Sequence, residues 1–412
     1  LYELIFDGNN KWMLSANGTI FTYEYEAVIP GLLKRWYAER QEMQQKMREC
    51  GDNEIEREYW DKRQLVKKIN LNSLYGAILN PGCRFFDIRI GQSVTLTGRC
   101  ITKHMASKVN EIVAGQYDHK GESVVYGDTD SVYFSAFKTL QKEINEGVIP
   151  WTKDSVVALY DKISDEVNGS FKAFMTKAFH TPTTRGEVIA AGRELVASKG
   201  LFITKKRYAV LYYDKEGKRT DVDGKEGKMK AMGLDLKRSD TPVFVQDFLS
   251  EILYMVLQGK EEKVVLDRIS EFRAEFKSRP GWEKGSPKRA NNMTKYTEAE
   301  EKAGRANMPG HVRASMNWNK CREMYGDKYS MPITDGAKVI VCKLKSNPLN
   351  YTSIAYPVDE MRIPEWFKEL PFDGDAMEAT ILDQKIDNLI GVLGWDVQST
   401  ETTNTFNKLF EF

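Results

Sequence analysis

The strongest constraint on the fold of this chain is a pair of long helical segments separated by Gly51-Asp52-Asn53. In the first segment, from Val28 to about Cys50, apolar residues recur at helical spacing, and Pro30 suits an early helical position. The second segment runs from about Glu54 to Leu79 and stops at Asn80-Pro81-Gly82. Two helices of about 22 residues joined by so short a turn form an antiparallel hairpin roughly 33 Å long.

A second pattern, from Val124 to Phe134, predicts a β-hairpin with Asp128 and Asp130 at its tip. Two carboxylates about 4 Å apart repel by about 4 kcal/mol at an effective dielectric constant near 20. A hard cation such as Mg²⁺ reverses this, because it binds carboxylate oxygens together with substrate phosphates. An ordinary β-turn is the alternative, since Gly, Asp, Thr and Ser are all good turn residues.

One face of the second helical segment carries chemistry that suits a nucleotide. Lys68, Asn72 and Tyr75 are spaced i, i+4 and i+7, and Gly76 leaves room for a close approach. The ammonium group can meet a triphosphate and the phenol ring can pack against a base or sugar. Arg40 on the first helix joins this set if the helices are antiparallel. A solvated polar face is the alternative interpretation.

Composition limits the classes of protein. The chain has 412 residues, which predicts two or three domains, and no apolar run long enough for a transmembrane helix. Its first residues have no secretory signal and no initiator Met, which suggests a fragment, a processed product or a late start of the numbering. Five dispersed cysteines and four histidines disfavour zinc and favour a reduced compartment. The net charge is only +1, but local basic runs suit a phosphate backbone.

Together these motifs resemble family B DNA polymerases. Lys67 to Gly76 resembles the fingers motif of that family, and Tyr126 to Ser131 resembles its palm carboxylate motif. Lys205 to Tyr208 resembles the lysine-tyrosine motif that holds the primer end. The passage from Met232 to Pro242 resembles the transition from palm to thumb. The likeness covers nearly the whole chain.

Two further segments resemble the replicative polymerases of T4-type phages within this family. They are Arg84 to Asp87, after the fingers motif, and the ending Leu409-Phe410-Glu411-Phe412. The resemblance implies an α+β, right-hand architecture with two-helix antiparallel fingers, a β-sheet palm with helices and a mostly helical thumb. The implied domains are a palm remnant (1–26), fingers (27–80), palm (81–240), thumb (241–398) and a clamp-binding tail (399–412).

The resemblance also implies a role for each matched residue. Asp130 would ligate two catalytic Mg²⁺ ions, or Mn²⁺ in their place, with Asp128 as a nearby carboxylate. The incoming dNTP would meet Arg40, Lys68, Asn72, Tyr75 and Gly76. Primer-template DNA would meet Lys205, Lys206, Arg207, Tyr208, Arg238 and Arg313, the last at the end of a basic loop predicted from about 278 to 312. A sliding clamp would bind Leu409, Phe410 and Phe412, for which an apolar patch folded on the thumb is the alternative.

One element of the family pattern is missing from these residues. The family has another metal-binding aspartate in an Asp-x-x-Ser-Leu-Tyr-Pro-type motif before the fingers, whereas Asp7 is followed by Gly8-Asn9-Asn10. We therefore expect template-directed nucleotidyl transfer only with an N-terminal polymerase/exonuclease part. The expected location is the cytoplasm, which is the host's for a phage protein, and no membrane partner is expected. The alternative is a non-catalytic, polymerase-derived protein that binds DNA or tethers a clamp.

Overall fold

A computed structural model describes residues 2–8, 11–296, 308–397 and 400. The chain divides into two compact units, Leu1–Glu194 and Leu195–Phe412. The division between them falls inside the segment 81–240 that the resemblance assigns to the palm. The five-part domain assignment therefore stays a prediction.

The first unit combines long helices with two small antiparallel hairpins, β1–β2 and β3–β4. Its elements are α1 (Tyr2–Phe6), β1 (Trp12–Leu14), β2 (Ile20–Thr22), α2 (Val28–Glu49), α3 (Glu54–Ile78), α4 (Ile88–Ala114), β3 (Val124–Asp128), β4 (Ser131–Phe134), α5 (Gln141–Asn145), α6 (Lys153–Phe179) and α7 (Thr183–Gly186).

The helical hairpin predicted from the sequence is confirmed as α2 and α3, which pack against each other. Asn53 ends the turn as the N-cap of α3, because its side chain accepts a hydrogen bond from the amide of Glu56. No residue of α2 is fully buried, and Ile78 is the buried residue of α3. The pair is therefore a solvated projection whose apolar residues mainly cover one another.

The core of the first unit lies between α4 and α6, where Val109, Ile163, Val167 and Phe171 are buried. Asp87 caps α4 and accepts from the amide and guanidinium of Arg89. These hydrogen bonds favour the charged carboxylate and lower the pKa of Asp87 to about 2. Both helices lie beneath the predicted carboxylate hairpin. The helix α4 contacts β3 and β4, and α6 contacts Phe134 of β4 through Tyr160.

The second unit contains two antiparallel sheets and several helices. Its elements are β5 (Leu195–Thr204), β6 (Arg207–Lys215), β7 (Lys218–Arg219), β8 (Lys228–Met232), α8 (Val243–Gln258), α9 (Glu262–Ser278), β9 (Ser286–Ala290), α10 (Gly310–Met324), β10 (Ala337–Lys343), β11 (Ser353–Pro357), α11 (Glu365–Lys368), α12 (Gly374–Glu378) and α13 (Gln384–Ile390).

Residues 195–232 form a sheet in which β6 pairs with β5, β7 and β8. One core packs this sheet on α8 and α9, with Leu211, Leu249 and Ile269 fully buried. A second core surrounds Trp318 of α10, beneath the sheet ordered β11–β10–β9. The segment 241–398, predicted to be mostly helical, therefore also contains a three-stranded sheet.

The long basic loop predicted for about 278–312 is wrong over its described part. Residues Gly281–Lys284 form a 3₁₀ turn, Ser286–Ala290 forms β9, and α10 begins at Gly310. Lys284 is buried and its ammonium donates to the carbonyl of Lys277 at 2.9 Å. Polar composition misled the prediction, because these residues find partners inside the unit. None of the helices in the described part is long and apolar enough to cross a membrane.

Candidate active site

The predicted carboxylate hairpin is confirmed as β3 and β4. Asp128 pairs with Ser131 across the ladder, so Thr129 and Asp130 form the turn at the tip. Asp128 is half-buried and Asp130 is exposed. Thr129 has φ +52°, a left-handed conformation that is unusual for a β-branched residue. The amide of Asp130 donates to the carbonyl of Asp128 at 2.6 Å, which closes a very tight turn.

Packing fixes the hairpin to the helices below it. The Tyr126 and Tyr133 rings lie 6.3 Å apart across the strands. Phe134 contacts the Tyr160 ring of α6 at 5.0 Å, and the Tyr160 hydroxyl accepts the amide of Ala136. The two carboxylates therefore stand at the end of a short sheet with a rigid base.

The donor chemistry of this tip fits a hard divalent cation, because Asp128 and Asp130 offer oxygen ligands. Across the described residues, no group of three His, Cys, Asp or Glu side chains is placed to hold a metal ion. Among the described residues, the hairpin alone would therefore supply only part of a coordination shell. Substrate phosphates, water or a carboxylate from another polypeptide segment would supply the rest.

The nucleotide-binding set predicted on α3 is partly exposed. Lys68, Asn72 and Gly76 are exposed and Tyr75 is half-buried. A Cβ added to Gly76 would meet nothing within 4 Å among the described atoms, so the space beside it is open. Arg40 of α2 donates to Gln64 of α3 at 3.2 Å, one helical turn before Lys68. The antiparallel pairing therefore brings Arg40 to within about one helical turn of Lys68 along α3.

In the second unit, four of the six predicted DNA-contacting residues, Lys205 to Tyr208, occupy one hairpin. Thr204 pairs with Arg207, which leaves Lys205 and Lys206 exposed at the tip of β5 and β6. Tyr208 is only 9% exposed, and its ring stacks on Phe202 with centroids 5.4 Å apart. The two lysines thus lie at the surface, whereas Tyr208 packs inside the unit.

Arg207 and Arg238 belong to a network of charges around Asp235, which is 13% exposed. Asp235 lies 3.8 Å from Arg207, 3.7 Å from Arg238 and 3.6 Å from Lys385. Arg207 also donates to the carbonyl of Asn388 at 3.1 Å. One carboxylate therefore orients three cations and leaves a net positive local charge.

Asp240 extends this network to β9. Its carboxylate accepts from Lys288 at 3.1 Å and from Arg238 at 3.2 Å. Burial alone would raise the pKa of Asp240, but the Lys288 ammonium and the Arg238 guanidinium outweigh it and lower the pKa. Sequence reasoning missed Asp235, Lys288 and Lys385, because Lys385 is about 150 positions from its partner and no spacing rule joins them.

Arg313 is exposed in the first turn of α10. The predicted clamp-binding residues Leu409, Phe410 and Phe412 lie outside the described residues.

Thr102 of α4 was not identified from the sequence. Its hydroxyl reaches the carbonyl of Thr129 at 2.7 Å, a contact that a separation of 27 positions could not reveal.

Comparison with known proteins decides the family. The model of DNA polymerase family B matches residues 8–178 and 183–309, which include the helical hairpin, the carboxylate hairpin and the β5–β6 hairpin. The chain belongs to DNA polymerase family B. The resemblance inferred from the motifs is therefore confirmed.

The family B relatives include phage enzymes and a eukaryotic subunit. The chain is 33% identical over 307 residues to the DNA-directed DNA polymerase of Escherichia phage RB69, and 30% identical over 311 residues to that of Enterobacteria phage T4. Each match covers 71% of this chain and 33% of the relative. The DNA polymerase delta catalytic subunit of Oryza sativa subsp. japonica is 28% identical over 57% of this chain and 18% of its own length. The chain thus spans about a third of the length of its phage relatives.

Proposed function

We propose that this chain is the C-terminal part of a replicative DNA-directed DNA polymerase, which transfers a nucleotidyl group from a dNTP to a primer 3′-hydroxyl. The observation that carries the proposal is the carboxylate hairpin in a family B chain, with Asp128 and Asp130 at the tip of β3 and β4. The relatives named as DNA-directed DNA polymerases support it.

In this proposal, α2 and α3 bind the triphosphate of the incoming nucleotide. Lys68 supplies a point charge for the phosphates, and Arg40 adds a planar donor from the facing helix. Asn72 donates a neutral hydrogen bond, while Tyr75 and Gly76 contact the nascent base pair. Fixing the phosphates in line with the primer end contributes to the rate through positioning and charge stabilisation.

In this proposal the hairpin would hold the cations. Asp130, which is exposed, would be the direct ligand of Mg²⁺, with Asp128 beside it. When bound, two Mg²⁺ ions, or Mn²⁺ in their place, would make the primer hydroxyl more acidic and offset the charge of the departing pyrophosphate.

The second unit would hold the primer-template duplex. Lys205 and Lys206 project from the β5–β6 tip, and Arg238 and Arg313 are also exposed. Arg207 contributes through the network around Asp235, and Tyr208 supports the strand from inside. These contacts go to phosphates and carry no sequence preference. We also propose that the ending Leu409-Phe410-Glu411-Phe412 binds a ring-shaped sliding clamp.

The proposal includes an aspartate that these 412 residues do not supply. The sequence lacks the Asp-x-x-Ser-Leu-Tyr-Pro-type motif, and the described residues offer only the two hairpin carboxylates at this tip. An N-terminal polymerase/exonuclease part, joined or separate, would bring the third carboxylate. The purified chain alone is therefore expected not to extend a primer.

Reconstitution tests the proposal. The chain is mixed with the matching amino-terminal polypeptide, and Mg²⁺-dependent extension of a labelled primer is measured. We expect extension from the mixture and none from either component. No extension from two folded components would contradict the proposal, and robust extension by this chain alone would contradict the requirement for a further aspartate.

The variant Asp130→Asn separates this proposal from a non-catalytic DNA-binding or clamp-tethering protein. It keeps the size of the side chain and removes its charge. We expect extension to fall by about a thousandfold or more, as for loss of a group acting in the transition state, while duplex binding stays within about twofold. Unchanged extension by Asp130→Asn would favour the non-catalytic reading.

A further inference from the structure

The turn that carries Asp128 and Asp130 is held in a conformation that its own sequence does not favour. Thr129 has φ +52° and is β-branched, so the backbone there is strained by roughly 1–3 kcal/mol. Such a conformation persists only where surrounding contacts specify it. The contacts that specify this one therefore determine where the two carboxylates point.

Local hydrogen bonds within the turn provide part of that specification. The amide of Asp130 donates to the carbonyl of Asp128 at 2.6 Å, and the hydroxyl of Ser131 reaches the same carbonyl at 3.2 Å. The hydroxyl of Thr129 lies 3.2 Å from a carboxylate oxygen of Asp128. All of these contacts move with the turn, so they cannot fix it relative to the rest of the unit.

One described contact joins the carbonyl of the strained residue to a different element. The hydroxyl of Thr102, half-buried on α4, lies 2.7 Å from the carbonyl oxygen of Thr129. The same hydroxyl lies 3.1 Å from the carbonyl of Gly98, its own helix partner. A hydroxyl has one proton, and the shorter contact indicates that Thr102 donates mainly to Thr129.

The same helix also fixes the other end of the strand. Asn110 of α4 is 1% exposed, and its side chain accepts the amide of Ser123 at 3.2 Å, just before β3. It also donates to the carbonyl of Gln116 at 2.8 Å. Because α4 is packed on α6 in the core, it holds β3 at its base through Asn110 and at its tip through Thr102.

We infer that Thr102 is a positioning residue for the carboxylate hairpin: its hydroxyl anchors the strained Thr129 carbonyl and so sets the direction of the Asp128 and Asp130 side chains. The kinetic consequence rests on the function proposed above, whereas the anchoring itself does not. Loss of the hydroxyl leaves both carboxylates in the chain but allows the turn to relax.

The variant Thr102→Val tests the anchor, because it keeps the branched shape and removes the donor. Thr95→Val is the matched control, since the Thr95 hydroxyl lies on the same helix and, within the described part of the chain, contacts only carbonyls of that helix, at 3.1 Å and 3.3 Å. Thr102→Ser retains the donor. In the chain alone, amide hydrogen exchange at 128–131 is expected to be about five- to tenfold faster in Thr102→Val, the equivalent of one hydrogen bond.

In Thr95→Val and Thr102→Ser, the rate of amide exchange at 128–131 is expected to stay within about twofold of that in the unsubstituted chain. Equal exchange in Thr102→Val and Thr95→Val overturns the inference. If Thr102→Val does not fold, the pair Thr129→Gly and Thr102→Val/Thr129→Gly replaces it, because glycine adopts a positive φ without strain. Exchange at 128–131 should then differ by less than about threefold between these two variants, and a difference of about fivefold or more also overturns the inference.

A kinetic arm uses the reconstituted mixture. Thr102→Val is expected to raise the Mg²⁺ concentration for half-maximal extension about five- to tenfold, while the KM for dNTP stays within about twofold. An equal rise in both quantities would indicate a general structural defect and count against positioning. If the unsubstituted mixture does not extend a primer, the proposed function fails, and the exchange measurement still decides whether Thr102 anchors the turn.

Discussion

Lys67 and Lys68 show how neighbouring residues of one type take different roles. The ammonium of Lys67 lies 2.5 Å from a carboxylate oxygen of Glu39 and 5.8 Å from the centroid of the Trp36 ring, both on α2. Lys68 points away from that contact and is exposed. A step of 100° along a helix thus separates a lysine that joins two helices from one available to a phosphate.

Substitution of each lysine by alanine should separate these roles. Lys68→Ala is expected to weaken binding of a nucleoside triphosphate to the chain by roughly tenfold or more, the value of a charged hydrogen bond. Lys67→Ala is expected to change that binding by less than about twofold and to lower the free energy of unfolding by about 0.5–1 kcal/mol. Equilibrium titration and denaturant unfolding measure the two quantities. Equal loss of nucleotide affinity in both variants would contradict the assignment.

His104 gives a residue-scale prediction for pH. Its ring is buried between α4 and α6, with one nitrogen 2.7 Å from the Tyr117 hydroxyl and the other 2.9 Å from the Ser170 hydroxyl. Burial lowers the pKa of His104, the nearby Lys108 lowers it further, and Glu111 opposes this. The unfolded state therefore binds a proton more readily than the folded state.

As the pH falls below about 6.5, the unfolded chain gains protons and the free energy of unfolding should decrease. His104→Asn should reduce this dependence between about pH 7 and pH 5, whereas Tyr117→Phe should retain it, because the imidazole is still present. Asp87, with its pKa of about 2, titrates below this window. Denaturant unfolding at several pH values measures the slope, and an unchanged slope in His104→Asn would refute the prediction.

At the scale of elements, sequence patterns identified those whose signals are local. The periodic segments α2 and α3 and the turn of β3–β4 all lie close to their predicted positions. The segment 278–296 was misjudged, because the burial of Lys284 and the pairing of β9 with β10 depend on distant residues. Local propensity cannot supply such pairings, since they form only when the unit is assembled.

The β5–β6 hairpin depends on a close backbone approach that glycine permits. Gly233 has φ +65°, and a Cβ there would lie 2.0 Å from the carbonyl oxygen of Lys206. Gly217, in the turn between β6 and β7, also has a positive φ, +81°, but nothing lies within 4 Å of its added Cβ among the described atoms. Substitution of these two glycines therefore distinguishes the cost of backbone strain from the cost of a steric clash.

Gly217→Ala is expected to lower the free energy of unfolding by roughly 1 kcal/mol through strain alone. Gly233→Ala should lower it by about 3 kcal/mol, because the Lys206 backbone must also move. It should also weaken duplex binding, since Lys205 and Lys206 form the displaced tip. Denaturant unfolding and fluorescence anisotropy provide the two readouts. A similar free energy of unfolding in both variants would show that the backbone at Lys206 moves away from residue 233 without loss of stability.

At the scale of the whole molecule, the family and the position of the carboxylate hairpin could be predicted from sequence, whereas the charge network could not. Motifs of short range identified Asp128, Lys68 and Lys205, and the family match confirmed the resemblance. The cations gathered around Asp235 come from segments far apart in the chain, including Lys385. A net charge of +1 hides this arrangement, because opposite charges elsewhere cancel it in the total.

The salt dependence of duplex binding tests whether the exposed lysines of the β5–β6 tip contact the phosphate backbone. Each phosphate neutralised by a lysine contributes about 0.9 to the slope of log affinity against log salt concentration. Lys205→Ala/Lys206→Ala should therefore reduce the slope by about 2 over roughly 50 to 200 mM salt. Lys328→Ala, which removes an exposed cation from the same unit, is the control and should reduce it less than 1. Anisotropy with a primer-template duplex measures the slope. An equal slope in the double variant and the unsubstituted chain would show that the β5–β6 tip does not contact the phosphate backbone.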